Sequence, residues 1–188
     1  MITDSRVFRD EYRPGELVHR DGEIDELSQA LQPAVDGDAA DDILISGPSG
    51  VGKTALSRYA LNRLLKHADV DRAYVRCLGA SEEDVLREVI DEHRSRTSPD
   101  RNASVELLRT QLKDCVDKPY IVVLDEADAL RDTDAVGALV DVPEISVIAI
   151  CHEPKRWLAR APRAVQASIQ LPIRLRNYTT DELVDIIS

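Results

Sequence analysis

No stretch of about 18 apolar residues runs anywhere in the chain, and the opening MITDSRVFRDEYR has no apolar core of the kind a secretory leader needs. A membrane-spanning helix and an exported protein are therefore not expected, and a soluble, cytoplasmic protein is. Three cysteines, Cys77, Cys115 and Cys151, stand in no C-x-x-C or other ligand spacing, which excludes a disulfide framework and leaves small buried thiols. Lysine is scarce, with 5 against 19 arginines, and all the basic residues together face 22 Asp and 13 Glu, a net charge of −11. The chain thus lacks the basic footprint of an autonomous nucleic-acid-binding module. Aspartate surplus with lysine scarcity is a lever that halophiles use to stay soluble, so a high-salt cytosol is expected. In such salt counterion release drives little, and a DNA role for parts outside this chain stays open. Internal repeats and low-complexity tracts are also absent.

What is present fits one domain, since 188 residues at 43% hydrophobic can bury a full core with little length left over. Its centre is residues 43–54, ILISGPSGVGKT, a short apolar run that breaks into a glycine-rich loop. Gly47, Gly52, Lys53 and Thr54 match G-x-x-x-x-G-K-[ST]. With Pro48, Ser49, Gly50 and Val51 they form a P-loop, whose backbone N–H groups make an anion nest at a helix N-terminus. Lys53 would neutralise the β- and γ-phosphates, and the Thr54 hydroxyl would be a Mg²⁺ ligand. Nucleoside triphosphate binding follows from these residues alone.

Residues 1–22 read as a polar N-terminal arm. The spacing then predicts a helix over 23–35 with Ile24, Leu27, Leu31 and Ala34 on one face and Asp21 as its cap. Strands are expected at 43–46, 73–77, 120–124, 145–150 and 169–175. After the first comes a buried helix reaching about residue 67, carrying Leu56, Ala60 and Leu64. Between the second and third come two helices, one with Val85, Leu86, Val89 and Ile90, the other with Val105, Leu108, Leu112 and Cys115, joined by a polar surface loop containing Pro99. A short helix at 134–140 precedes strand four, an arginine-rich segment at 155–163 follows it, and Thr179 or Thr180 caps a last helix with Leu183, Ile186 and Ile187. Strands separated by helices define an α/β fold, a P-loop NTPase with a doubly wound parallel five-stranded sheet flanked by helices, its chemistry at the C-terminal edge of the strands.

At the tip of strand three stand Asp125, Glu126, Ala127 and Asp128. A carboxylate after a buried apolar strand needs a cation, which is what a Walker B aspartate finds in Mg²⁺, and Glu126 is placed to polarise a water for attack on the γ-phosphate. Asp128 reads as a cap or a surface acid. These letters also spell the DEAD of a helicase motif, yet the tip of strand four reads Ala149-Ile150-Cys151-His152-Glu153, without the Ser-Ala-Thr that DEAD-box helicases carry, so a helicase fragment is the weaker alternative.

Together with VHRDGEI at 18–24, Arg163 before strand five and YTTDEL at 178–183, the spacing of these parts resembles an AAA+ ATPase. More narrowly it resembles the archaeal origin-recognition/cell-division-control initiators, relatives of the largest subunit of the eukaryotic origin recognition complex. The resemblance implies an arm at 1–22, an AAA+ nucleotide-binding domain at 23–177 and the start of a truncated helical lid at 178–188. It places Val18, His19 and Arg20 against an adenine, Lys53 and Thr54 on the phosphates of ATP or ADP, and Mg²⁺ on Thr54 and Asp125. His152 matches the sensor 1 position, where the family has Asn. An imidazole can donate to a phosphate oxygen but lacks the paired donor and acceptor of an amide. Arg163 matches the arginine finger, with Arg156 and Arg160 as rivals, although Ala161 stands where the family keeps an Asp. The expected function is an ATP-binding module of a replication initiator, with slow Mg²⁺-dependent hydrolysis switching affinity for origin DNA or a partner subunit. Origin DNA would need the winged-helix domain that lies outside this chain. The alternative is a shortened paralogue that binds nucleotide without turning it over.

Overall fold

In the computed structural model residues 17–94 and 98–182 are described, with the backbone alone at positions 170 and 171. The first 16 residues of the expected arm, and Leu183, Ile186 and Ile187 of the expected last helix, lie outside the described residues. The elements follow one another as α1 (Asp21–Asp36), β1 (Asp42–Ser46), α2 (Lys53–His67), β2 (Asp71–Arg76), α3 (Glu82–Glu92), α4 (Val105–Cys115), β3 (Tyr120–Asp125), α5 (Asp134–Val140), β4 (Ile145–Cys151), α6 (Pro154–Arg160), α7 (Arg163–Ser168) and β5 (Ile169–Arg174). A single 3₁₀ turn, Ala127–Ala129, comes after β3.

The five strands form one parallel sheet in the order β2-β3-β4-β1-β5. The central apolar strands are buried on both sides because each feeds two cores in alternation. Tyr120, Val122 and Leu124 enter the core under α3, α4 and α5, while Ile121 and Val123 enter the core under α1 and α2. β1 divides likewise, with Ile43 and Ile45 to the second core and Leu44 to the first. The helix faces expected from the sequence are the buried ones, Ile24, Leu27, Leu31 and Ala34 on α1 and Val85, Leu86, Val89 and Ile90 on α3.

Local chemistry sets several boundaries. The Ser81 hydroxyl accepts from the Asp84 N–H, and the Asp84 carboxylate accepts from the Ser81 N–H, a capping box that starts α3. α1 differs from expectation at its start. Asp21 is the first helical residue, and the cap position is Arg20, which makes no side-chain capping bond. Its end is a left-handed Gly37 whose N–H returns to the Ala34 carbonyl. The arginine-rich segment holds two helices, α6 opening on Pro154 and α7 after Pro162, each with one buried anchor, Trp157 and Val165. Thr179 makes a reciprocal pair with Glu182, its hydroxyl accepting from the Glu182 N–H, so the cap expected there is present.

Candidate nucleotide-binding site

The sheet order sets β4 between β1 and β3, so three strand tips stand side by side and the turns that leave them share one edge. β1 ends in Ser46, whose carbonyl accepts from the Leu175 N–H at 2.8 Å, and the chain turns there at Gly47. Gly47 has φ 151°, and a Cβ on it would stand 2.5 Å from the Leu175 carbonyl oxygen, so close approach to the end of β5 requires glycine. Gly52, left-handed at φ 92°, turns the loop into α2 and leaves the first N–H groups of that helix without intrahelical partners.

The Lys53 side chain folds back over the loop, its Nζ donating to the Gly47 carbonyl at 2.8 Å and the Pro48 carbonyl at 2.6 Å. Lys53 is 6% exposed, and burial holds its ammonium below the usual lysine range while Asp125 and Asp128 oppose that shift. A phosphate would give that cation its missing counter-charge. Nζ also lies 3.3 Å from His152 Nδ1. An ammonium has no lone pair, so in a hydrogen bond between the two Lys53 donates and Nδ1 accepts.

At the tip of β3, Asp125 Oδ2 accepts from the Thr54 hydroxyl at 3.0 Å and from the Tyr74 hydroxyl. Burial, and then the bond to Asp125, push the Tyr74 phenol up to about 12. Glu126 stands in the left-handed region at φ 58°, a conformation that costs a non-glycine residue about 1–3 kcal/mol and concentrates at functional sites. Its Oε2 is 3.6 Å from Arg76 Nε. Asp128 is more than a surface acid, because its Oδ2 accepts from the backbone N–H of His152 at 2.8 Å and of Glu153 at 3.0 Å. That carboxylate ties the turn after β4 to the turn after β3 and so fixes where His152 begins.

Lys53, Thr54, Asp125, Glu126 and His152 line a cleft of about 720 Å³ together with Ser49, Gly50, Gly52, Ala55, Arg58, Tyr74, Arg76 and Tyr178. Gly47 and Pro48 face a neighbouring cleft with Lys155, Arg156 and Arg174, and Val51 is buried beneath the loop. Val18 is half-buried and His19 exposed with φ 63°, and neither is among the residues lining the main cleft. Arg20, 5% exposed, reaches three segments. It donates to the Val51 carbonyl at 3.3 Å and the Arg176 carbonyl at 2.6 Å, pairs with Glu23 at 3.0 Å, and its guanidinium lies 4.2 Å from the centre of the Tyr178 ring. The wall residue is thus Tyr178, with Arg20 behind it. Arg163 is exposed at the start of α7 and outside the cleft of its own chain, as are Arg156 and Arg160.

A model of the AAA ATPase domain matches residues 16–150, from before α1 into β4, and so includes the P-loop and the acidic tip of β3. The chain belongs to the AAA ATPase domain family. This AAA ATPase domain is 32% identical over its whole length to ORC1-type DNA replication protein 1 of Halobacterium salinarum, covering 62% of that protein. It is 30% identical to ORC1-type DNA replication protein 9 of the same organism, covering 54% of it. The chain therefore spans little more than half the length of these relatives. Its backbone superposes on the Aeropyrum pernix ORC1 protein, solved in complex with DNA, with TM-score 0.81 and 26% identity over 98% of this chain and 52% of the other. The fold class is thereby that of the AAA+ P-loop ATPases, and the relatives from halophilic archaea accord with the acidic composition.

The residues present suit both groups the family implies. Thr54 and Asp125 offer a hydroxyl and a carboxylate oxygen, hard donors suited to Mg²⁺. Lys53 and the free N–H groups at the start of α2 suit a phosphate chain. Arg58, Tyr74 and Arg76 carry no motif that would mark them in the sequence. They belong to α2 and β2, and only the pairing of β2 with β3, with Arg76 opposite Asp125, brings Tyr74 and Arg76 to the acidic tip.

Among the described residues no helix is long and apolar enough to cross a membrane. Cys77 and Cys151 are buried free thiols pushed up to about 12 chiefly by burial, consistent with inert core positions, and Cys115 is half-buried.

Proposed function

We propose that this chain is the ATP-binding switch of a cytoplasmic replication initiator, hydrolysing Mg²⁺-ATP slowly so that its ATP and ADP states differ in affinity for DNA or a partner subunit. The observation that carries the reading is the convergence of Lys53, Thr54, Asp125, Glu126 and His152 on one cleft at three adjacent strand tips. Mg²⁺ held by Thr54 and Asp125 would neutralise charge on the β- and γ-phosphate oxygens. Lys53 would leave the Gly47 and Pro48 carbonyls for the phosphates. Glu126 would accept the proton of the attacking water, once its carboxylate turns from Arg76. His152, released by Lys53, would have its ring free to donate to the γ-phosphate and report its presence. Arg163, exposed on α7, would reach the phosphates of a neighbouring subunit rather than its own. The domain limits proposed are an arm to residue 22, the nucleotide-binding domain to 177 and a lid from 178. DNA or partner binding by the larger protein is carried over from the ORC1-type relatives, one of which is described in complex with DNA.

A second reading, a module that binds ATP without hydrolysing it, is favoured by two observations. His152 stands where the family resemblance expects the sensor amide, and Arg76 faces the carboxylate that would act as base. Single-turnover hydrolysis separates the two. The switch requires that Glu126→Gln abolish a measurable wild-type rate while ATP still binds, and equal rates for both proteins would overturn hydrolysis. Lys53→Ala should remove Mg²⁺-ATP binding by calorimetry altogether, and retained tight binding would overturn the site itself.

A further inference from the structure

We propose that Tyr74 is a positioning residue of the cation site, its hydroxyl holding the Asp125 carboxylate in the orientation from which Asp125 and Thr54 meet Mg²⁺. The inference rests on the nucleotide-binding reading above and adds to it a residue from a strand that carries none of the P-loop or Walker B positions.

Tyr74 lies on β2, where it stands opposite Val123, two residues short of Asp125 in register. A tyrosine spans that distance along the strand, and its hydroxyl arrives at Asp125 Oδ2. Three contacts fix the ring on its way. Its backbone N–H, which points to the open edge of the sheet, donates to Glu92 Oε2 at 2.9 Å. The Arg58 guanidinium covers the ring at 4.7 Å from its centre. The remaining face packs on the core under α1 and α2. The phenol is therefore delivered by a held framework rather than by a loose side chain.

The donors and acceptors around Asp125 give this delivery a purpose. Thr54 has one proton, which it donates to Asp125 Oδ2 at 3.0 Å, so its lone pairs are left for a cation. Tyr74 donates to that same oxygen, so two hydroxyls pin Oδ2 and the carboxylate cannot rotate about its last bond without losing both. An outer partner of this kind typically changes metal affinity about 10–100-fold when removed, because it sets the ligand's orientation and basicity.

The experiment is Tyr74→Phe, which keeps the ring, the Arg58 contact and the core packing and deletes only the hydroxyl. ATP binding is measured by calorimetry in EDTA and then over a Mg²⁺ titration, with Mn²⁺ and electron paramagnetic resonance as a second report on the ion. Unchanged affinity in EDTA with a Mg²⁺ midpoint raised about 10-fold, and an altered Mn²⁺ spectrum, is the expected result. The same Mg²⁺ midpoint and Mn²⁺ spectrum as wild type would overturn the role of Tyr74 and leave the nucleotide site intact. A wild-type protein that binds no Mg²⁺-ATP would instead overturn the reading beneath it. A purely structural role is overturned or upheld separately by Tyr74→Leu, which loses packing and hydroxyl together. If packing alone mattered, only Tyr74→Leu would shift the midpoint, whereas positioning requires that Tyr74→Phe shift it equally.

Discussion

Two glycines show how differently the same residue type is used. At Gly22, in the first turn of α1, no heavy atom lies within 4 Å of an added Cβ. At Gly47 the Leu175 carbonyl oxygen would lie 2.5 Å from it, and φ is 151°. Gly22→Ala should therefore be neutral or stabilising by up to about 0.5–1 kcal/mol, through the chain entropy glycine loses in a helix. Gly47→Ala should cost at least about 1–3 kcal/mol and weaken ATP binding, because the loop can accept a methyl only by moving off β5. Urea unfolding with the slope compared between variants tests both. Glu126 is strained at this same scale, in a left-handed conformation next to an arginine. Neither the clash at Gly47 nor the strain at Glu126 is written in the residues themselves.

At the scale of elements, the turn after β4 depends on a side chain from another turn. Asp128, in the 3₁₀ turn after β3, accepts from the N–H groups of His152 and Glu153, just before α6 begins at Pro154. A hydrogen bond to a charged acceptor contributes about 1.5–3 kcal/mol, less where water competes as it does here. Asp128→Ala should therefore lose about 1–2 kcal/mol and reduce the hydrolysis rate, while Asp128→Asn, which keeps an acceptor oxygen, should retain most of the stability. Thermal unfolding with single-turnover kinetics would show this, and unchanged values for the alanine variant would deny Asp128 its part in placing His152. Helices as short as α6 and α7, seven and six residues, escape a periodicity reading because each has a single buried anchor. Pro154 and Pro162 at their starts are the available signal.

For the whole molecule, charge is unevenly spread. Residues 154–180 contain Lys155, Arg156, Arg160, Arg163, Arg174 and Arg176 and no acid, so the remaining residues set 35 acids against 18 bases, a net −17. All six cations are exposed. Self-repulsion among the acids weakens as the Debye length falls from about 10 Å at 0.1 M salt to about 3 Å at 1 M. The melting temperature should then rise between 0.1 and 1 M KCl. A variant with exposed Asp36, Asp38, Asp91 and Asp114 replaced by Asn should rise less, which separates charge screening from general salting effects. Equal rises would remove the electrostatic explanation.

The P-loop, the acidic end of β3 and the alternation of strands and helices are legible in the sequence because they rest on local rules. A glycine-rich turn into a helix, a buried strand ending in carboxylates and apolar periodicity each carry their meaning within a few residues. The family resemblance adds His152, which lines the cleft, and Arg163, which stands exposed on α7 outside it. Whether β4 would lie between β1 and β3, and whether β2 would place Tyr74 and Arg76 beside Asp125 and Glu126, was decided only by the tertiary structure. Parallel strands pair across long crossovers, and no local rule fixes which neighbour each will take.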